Sequence, residues 1–509
     1  MRLKLLAALV LGMGLSIALA QPRTLIIAQG TDPTSLDAPL ATDSPSGTVS
    51  RHVVEPLFDY TPDGRIVPLL VERFSFSTDR KTLTLNLRRG IKFHDGTDFN
   101  AEAVKFNLER LVSQELASSF AFLLRGRVSA IEAPDALTVR LRMPEPFAPI
   151  LAHLTHGSAS IQSPTAIRRL GANYRDNPVG TGPYKFDRWQ KGQFVELVRN
   201  DDYWGTKPSV ERLRFLAVPE ATTRMALVET GQAHVAVRVP PQDVQRLNAR
   251  PEIDVVTTPS VRTIYLYFNH TKKPFDDVRV RRAINLAINR EEIVNFVLGG
   301  FGRVSDAPIG PGIFGYTRIG NYGFNQSEAR RLLAQAGFNA QNPLRFTLSS
   351  PNGRYLQDIR VSEAIQSQLR AVGVEAQIQT LEWGAYLAAS NQPKDKNEFQ
   401  VAMLGWGTVT GDADYGLFGL FHTSQHAPSG FNRGFYSNPR VDRILEQARV
   451  VTTPQARQQL YANVMRLIYN DAPWVLLHTE QQVTAIRKEV AGFVVHPTER
   501  LIASTASFR

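Results

Sequence analysis

Asp412 and Asp414, two carboxylates one residue apart, have the type and spacing that most suggest chemistry. They follow a glycine-rich segment that contains Trp406, and an apolar run, Phe399–Leu404, precedes that segment. The apolar run predicts a buried strand, and the glycines would let a ligand approach the backbone closely. A carboxylate on such a loop can pair with a ligand cation, most simply an amine. The same acids could equally make local turns in a surface loop.

The pair of acids could also serve a hydrolase, since glycosidases act through two carboxyl groups. Residues one apart point to opposite faces of an extended segment, so one of the two acids could be structural. The chain has no Cys, which excludes a thiol nucleophile, and it contains neither GxSxG nor HExxH. An exported carboxylate-dependent hydrolase is therefore the less favoured alternative, and we expect no catalytic residue.

Two histidine pairs have spacings that could bind a metal ion. His422 and His426 are four residues apart, and His153 and His156 are three apart. On one face of a helix such spacing could ligate zinc or nickel. Glycine, proline or serine lies beside each pair, which favours loops over helices. We therefore expect no metal site and no cofactor.

The composition is that of a globular protein, with 43% hydrophobic and 21% charged residues. The 509 residues predict roughly three domains of about 150 residues each. The formal net charge is +11, but the Lys and Arg residues are scattered and form no long run. We therefore expect no nucleic-acid partner.

The first twenty residues predict a cleaved signal peptide. Arg2 and Lys4 form a basic start, Leu5–Leu19 is apolar, and Ala18–Ala20 fits cleavage before Gln21. The apolar core is too short for a comfortable transmembrane helix, which needs about 20 residues. Without Cys there is no lipid-anchor cysteine, so we expect a protein free in the periplasm.

Predicted strands and helices alternate through much of the chain, which indicates an α/β fold. Thr24–Gln29 has the composition of a strand, and Leu83–Leu87 alternates as a half-buried strand. Asn100 predicts the N-cap of the following helix. Ile264–Asn269 and Trp474–His478 predict two further strands.

Five segments, in this order along the chain, resemble the extracytoplasmic solute-binding proteins of ABC importers, family 5. This class includes dipeptide, oligopeptide and glutathione binders. The sequence of residues Thr410–Leu417, TGDADYGL, looks most like that of the glutathione and dipeptide members. The five segments are the FHDGT turn with its helix (93–106), Val179–Tyr184, Asn200–Gly205, Val280–Val294, and the Gly-Trp and acidic stretch with its continuation to Pro439.

The resemblance implies a two-lobed periplasmic binding protein fold of the class with an extra domain. Mixed sheets would be flanked by helices, with a hinge between the lobes. Lobe I would comprise residues 21–52, 185–270 and 481–509. Residues 53–184 would form the extra domain packed on lobe I, and residues 271–480 would form lobe II.

The resemblance further implies that the protein captures a short peptide or a glutathione-like solute and delivers it to an inner-membrane ABC permease, whose partner subunits use the ATP. We expect a monomer. Other solutes, such as a sugar, a nickel chelate or an opine, remain alternatives on the same fold.

A free peptide is a zwitterion, so its amine needs an acid and its carboxylate needs a cation, ideally a bidentate Arg. The resemblance assigns the amine to Asp412 or Asp414, with a preference for Asp412, and the carboxylate to Arg354. Arg354 could equally be a solvated loop charge.

Four more residues are expected at the ligand. Tyr355 neighbours Arg354, and Trp406 would supply an apolar wall. Thr31 and Asp32 lie in the turn-rich loop after the first strand, which in the resembling family lies near the ligand.

Overall fold

In the computed structural model, which describes residues 23–509, a mixed sheet of eleven strands runs through the centre of the molecule. The predicted signal peptide lies outside the described residues. In order across the sheet the strands are Val374–Leu381, Leu344–Pro351, Val401–Gly407, Ile253–Phe268, Trp474–Arg487, Val235–Val237, Thr24–Gln29, Arg212–Ala217, Phe194–Arg199 and Tyr184–Gln190, with Gly302–Val304 paired to Trp474–Arg487 beside this path.

Two long antiparallel strands, Ile253–Phe268 and Trp474–Arg487, join the two ends of this sheet. On one side Ile253–Phe268 pairs with Val401–Gly407, and on the other Trp474–Arg487 pairs with Val235–Val237. Their register is irregular between Pro259 and Thr263. The change in pairing therefore falls within a strand, whereas the predicted lobe boundary at residues 270 and 271 comes after it.

Both long strands extend beyond the lengths that their sequences predict. Only the second half of Ile253–Phe268 is continuously buried, and its first half alternates between partly buried and exposed residues. Trp474–Arg487 contains the polar run Thr479–Gln482 at its middle. The hydrophobic pattern therefore predicted only the part of each strand that is rich in apolar residues, near Ile264–Phe268 and Trp474–His478.

A separate four-stranded antiparallel sheet lies entirely within residues 53–184. The helix Ala101–Val112 packs beside it through Val104 and Leu108, both fully buried. The Asn100 side chain accepts a hydrogen bond from Ala103 N at 2.9 Å, which confirms the predicted N-cap. The strands, in sheet order, are Val71–Phe76, Thr82–Leu87, Thr138–Arg142 and Ala130–Asp135.

Helices flank both sheets. The α-helices are Ser44–Ser50, Ala101–Val112, Ile150–His153, Pro164–Leu170, Ala221–Glu229, Pro241–Asn248, Val278–Ala287, Arg290–Glu292, Gln326–Gln335, Asp358–Arg370, Trp383–Ser390, Ala413–Phe421, Pro439–Val450 and Pro454–Asp471. A π-helical turn, Ile293–Val297, and short 3₁₀ turns at Ala38–Leu40, Ser119–Leu123, Gly157–Ala159, Gly171–Asp176 and Thr423–Gln425 complete the helical elements. Within residues 23–509, no helix has the length and apolar character needed to cross a membrane.

Three two-stranded ribbons complete the strands. They pair Phe58–Tyr60 with Ile66–Pro68, Val490–Ala491 with Ser507–Phe508, and Val494–Val495 with Leu501–Ile502.

The segment 53–184 packs against residues 415–431, which belong to the predicted lobe II. The Phe122 ring stacks on Tyr415 and Phe418 with centroids 6.1 Å apart in each case. Phe120 contacts Phe431 with centroids 4.8 Å apart. These rings belong to one hydrophobic core that includes residues of both segments. Segment 53–184 and the predicted lobe II are therefore in direct contact in this structure.

Candidate functional site

A cavity lies where the predicted domains meet, with about 1000 Å³ of space that is partly open to solvent. Residues 38–60 form one wall, residues 155–158 of the predicted extra domain form a second, and residues between 354 and 433 of predicted lobe II form a third. Arg262, on the long strand Ile253–Phe268, also lines the cavity.

Aromatic rings cover much of the lobe II wall. Trp406 stacks on Tyr415 with centroids 5.0 Å apart, and Tyr355 meets Trp383 edge to face at 6.1 Å. The Tyr355 hydroxyl accepts a hydrogen bond from Gly405 N at 2.8 Å, which fixes the ring against the neighbouring strand. The structure therefore places Trp406 and Tyr355, two predicted ligand contacts, on the cavity wall.

Arg354 lies on the same wall and is almost fully buried, with 1% of its surface exposed. Its guanidinium lies over the rings of Tyr355 and Trp383, at 4.8 and 5.2 Å from their centroids. Nη2 is 3.5 Å from Glu499 Oε2, while Nε and Nη1 have no hydrogen-bond partner among residues 23–509. Such burial contradicts the alternative that Arg354 is a solvated loop charge.

The backbone around Arg354 is held by a buried carboxylate. Asp358 accepts hydrogen bonds from Arg354 N at 2.9 Å and from Tyr355 N at 3.1 Å. Asp358 also begins the helix Asp358–Arg370. The turn is therefore built to present the Arg354 side chain in one direction.

Four more arginines line the cavity, and the sequence analysis did not assign them to the site: Arg51, Arg262, Arg433 and Arg500. Arg51 and Arg500 share Asp59 Oδ1, at 2.9 and 2.8 Å. They come from chain segments far apart, and no local spacing relates them. Only the folded chain brings them together.

Arg262 is paired within the protein. Its Nη2 donates to Glu499 Oε2 at 2.7 Å and to Ser44 Oγ at 2.7 Å. Burial acts to raise the pKa of Glu499, but Arg262 and Arg354 outweigh it and hold that pKa below its ordinary value. Burial and the nearby Glu499 charge raise the pKa of Glu480 to about 7. Beside the cavity, Glu499 is therefore ionised, and Glu480 is more readily protonated. Both lie close to Arg262 and Arg354.

Asp412 lies outside the cavity wall. It caps the helix Ala413–Phe421 by accepting from Asp414 N at 2.9 Å, and its two oxygens accept from the Arg457 guanidinium at 2.9 and 3.0 Å. The expected loop is thus the start of a buried helix. The aromatic run after it gave no helical periodicity, because every residue of this helix is buried.

Asp414 is fully buried and also lies away from the cavity. Its carboxylate is 3.1 Å from His153 Nε2 and 3.2 Å from Arg449 Nε. Burial acts to raise the pKa of Asp414, but Arg449 and His153 lower it further, so it stays ionised. The structure therefore gives both predicted amine-binding acids internal partners.

Thr31 and Asp32 are buried or half-buried but lie outside the cavity lining. Asp32 accepts hydrogen bonds from Trp189 Nε1 at 3.0 Å and from Gly192 N at 2.8 Å. Thr31 is 2% exposed, and its hydroxyl has no hydrogen-bond partner. The loop after the first strand therefore supports lobe I and does not reach the cavity through these two side chains.

The two histidine pairs are engaged in other contacts. His156 contacts Ser158 Oγ at 2.7 Å and the Tyr415 hydroxyl at 3.0 Å, and His426 contacts Tyr436 O at 3.0 Å. His422 contacts Ser424 Oγ at 2.8 Å. Across residues 23–509, no cluster of three or more His, Asp or Glu has the arrangement of a metal site.

Comparison with known proteins places this architecture. Residues 65–428 match the model of the bacterial extracellular solute-binding proteins, family 5 Middle. The chain is 35% identical over 476 residues to the glutathione-binding protein GsiB of Pectobacterium atrosepticum, covering 93% of this chain and 91% of that protein.

Solved structures share the fold. DppA of Helicobacter pylori, in complex with the peptide STSA, has a TM-score of 0.87 and 28% identity, over 95% of this chain and 98% of that one. AgaA of Agrobacterium tumefaciens R10, in complex with agropinic acid, has a TM-score of 0.86 and 25% identity, over 96% and 99%. These structures confirm the predicted periplasmic binding protein fold, and the chain belongs to the bacterial extracellular solute-binding proteins of family 5.

Proposed function

We propose that this protein captures a short peptide or a glutathione-like solute in the periplasm and delivers it to an inner-membrane ABC permease. The protein acts as a monomer, and the partner subunits of the permease use the ATP. It does no covalent chemistry on the solute. Glutathione binding by GsiB and peptide binding by DppA, as those proteins are named, support this choice of ligand.

The observation that carries the proposal is that, among residues 23–509, Arg354 on the cavity wall has two guanidinium nitrogens, Nε and Nη1, without a hydrogen-bond partner. A buried charged donor without a partner is costly, by about 1–3 kcal/mol or more. A ligand carboxylate that accepts from Nη1 would supply a missing partner, and Nη1 together with Nη2 forms a fork that suits a bidentate pair. Trp406 and Tyr355 would pack against the rest of the solute.

The amine is held differently from our sequence prediction. The two acids on the cavity wall, Asp43 and Asp59, are already engaged: Asp43 caps Ser44–Ser50 and accepts from Thr34 and Ser46, and Asp59 is shared by two arginines. We therefore propose that Asp412, Asp414, Thr31 and Asp32 stabilise the fold, and that a ligand amine is held without a dedicated carboxylate, for example over an aromatic face.

Capture is coupled to closure of the lobes. The cavity is lined from both sides of the long strands Ile253–Phe268 and Trp474–Arg487, so a ligand makes all of its contacts only when the walls are together. Binding then shifts the population from open to closed molecules. The permease would recognise the closed surface.

Native mass spectrometry of the purified protein, followed by identification of the released solute, tests the proposal. A di- or tripeptide, or glutathione, is the expected result. An opine would keep the transport role and discard the peptide, an alternative supported by the agropinic acid complex of AgaA. If the protein is purified empty, calorimetry with glutathione and with Ala-Ala-Ala tests the proposal. If neither compound binds, the proposal is contradicted.

A further inference from the structure

We propose that the solute is a net anion with two carboxylate groups, one bound by Arg354 and the other by Arg433. The inference rests on the proposed capture of a peptide or glutathione-like solute and defines the class within it. It also identifies Arg433 as a specificity-determining residue.

Arg433 is an unpaired cation on the cavity wall. It is 8% exposed, and within the described part of the chain its side chain makes no hydrogen bond or ion pair. Its guanidinium lies 5.9 Å from the centroid of Phe431, a ring that in turn packs on Trp406 with centroids 4.8 Å apart. The aromatic wall therefore supports Arg433 much as Tyr355 and Trp383 support Arg354.

The charges around the cavity favour a second carboxylate over an amine. Five arginines and two aspartates line it. Asp59 is shared by Arg51 and Arg500, and Asp43 is engaged by Thr34 and Ser46. Glu499, behind the wall, pairs with Arg262 and lies near Arg354, but no carboxylate of the described chain lies near Arg433 in the same way. Within the described chain, Arg433 therefore has no neighbouring carboxylate, and Arg354 keeps two guanidinium nitrogens without a partner.

A zwitterion with one carboxylate would leave one of these two arginines without a partner. A solute with two carboxylates satisfies both guanidinium groups, each through a planar fork that matches a carboxylate. Glutathione has this chemistry, because its glutamyl and glycyl residues each carry a free carboxylate.

Calorimetry on the folded protein can assign each carboxylate to its arginine. The probes are glutathione, its glycyl monoethyl ester, γ-aminobutyryl-Cys-Gly (which lacks the glutamyl carboxylate) and Ala-Ala-Ala. The variants are Arg354→Gln and Arg433→Gln. Arg345→Gln is the matched control, because Arg345 is 67% exposed and pairs with Glu375 on the surface.

The wild-type protein should bind glutathione roughly 10- to 100-fold more tightly than either single-carboxylate probe. Arg433→Gln and Arg354→Gln should each weaken glutathione binding by a similar factor, while Arg345→Gln has no effect. One arginine variant should bind the ester as tightly as the wild-type protein does, because its carboxylate partner is already absent from that probe. The other variant should bind γ-aminobutyryl-Cys-Gly as tightly as the wild-type protein does, for the same reason. Circular dichroism checks folding, and Arg433→Lys, which keeps the charge but loses the fork, should give an intermediate loss.

Three outcomes separate this inference from the proposed function. Equal affinity for glutathione and Ala-Ala-Ala would leave peptide capture intact and overturn the two-carboxylate solute. An Arg433→Gln variant that binds as tightly as the control would overturn it as well. If no peptide binds but N-acetylglutamate does, and both arginine variants weaken that binding, the peptide function fails and the two-carboxylate site stands.

Discussion

At the residue scale, Asp412 illustrates a carboxylate whose role is internal. It neutralises Arg457 through two hydrogen bonds while capping a helix, and it is 6% exposed. Removing one partner of such a buried pair leaves the other charge uncompensated, which typically costs 3–5 kcal/mol. The acid contributes to the shape of the cavity only through the fold.

We expect Asp412→Asn to lower the free energy of unfolding by about 3 kcal/mol, because Arg457 loses its carboxylate. Urea denaturation measures this loss. The dissociation constant of the bound solute should change less than about twofold under conditions where the variant is folded. Asp98→Asn, at an exposed pair with Lys92, is the control and should change stability by about 0.5 kcal/mol or less. A large loss of affinity with intact stability would restore Asp412 as a ligand contact.

Glu480 predicts a particular dependence of stability on pH. Its pKa is raised from an ordinary 4.5 to about 7, first by burial and then by Glu499. A carboxyl group whose pKa is higher in the folded state stabilises the fold while it is protonated, and this contribution is lost as pH rises from about 4.5 through about 7.

We therefore expect the stability of Glu480→Gln relative to wild type to increase between pH 5 and pH 8, by up to about 3 kcal/mol. Comparing the two proteins at each pH removes the contribution of the buried histidines, which they share. Urea denaturation at several pH values measures the difference. Glu375→Gln, at a surface carboxylate, should show no such trend, and a flat difference for Glu480→Gln would contradict the prediction.

At the element scale, the turn Val179–Tyr184 makes close backbone contact with His52 and Val53, at the predicted boundary between lobe I and the extra domain. Gly182 N donates to Val53 O at 2.9 Å, and Tyr184 N donates to His52 O at 3.0 Å. A Cβ at Gly182 would lie 2.6 Å from His52 O, closer than side chains are found in proteins. Here glycine is required by the approach of two backbones.

Gly182→Ala should therefore lower the free energy of unfolding by about 2 kcal/mol or more, because the clash is with backbone and cannot be relieved by a rotamer change. Thermal and urea denaturation measure the effect. Gly323→Ala is the matched control, since nothing lies within 4 Å of its Cβ position. Equal stability of the two variants would show that the 179–184 turn is free to move.

The sequence predicted local elements better than it predicted the site. Asn100, Thr24–Gln29 and Trp406 were found because capping, strand alternation and a ring beside glycines are local patterns. Asp412 and Asp414 were expected on a loop but lie at the start of a helix, because a fully buried helix has no polar face to reveal its period. Arg433 was missed because nothing in its own segment shows that a cavity formed by distant segments lies beside it.

At the scale of the whole molecule, the cavity is formed by walls that different parts of the chain supply, so ligand affinity and closure are one equilibrium. At a ligand concentration of about 100 times the dissociation constant, binding should raise the free energy of unfolding by about 2.7 kcal/mol. Small-angle scattering should show a smaller radius of gyration in the same sample. Arg354→Gln, with its affinity 10- to 100-fold weaker, should reduce both effects and leave a stabilisation of about 0.4–1.4 kcal/mol at that concentration, whereas Arg345→Gln should preserve them. Stabilisation without compaction would indicate a cavity that is already closed.

One hydrophobic core contains Leu25 and Ile27, from the first described strand, together with Leu501 and Ala503, near the other end of the chain. The strand Thr24–Gln29 also pairs with Val235–Val237, which pairs in turn with Trp474–Arg487. A chain that emerges from the membrane starting with its first residues therefore cannot finish the lobe that those residues begin until almost all of it has crossed. Export would then precede completion of the fold, and shortening the protein near residue 500 would remove Leu501 and Ala503 from the core of its opening strand.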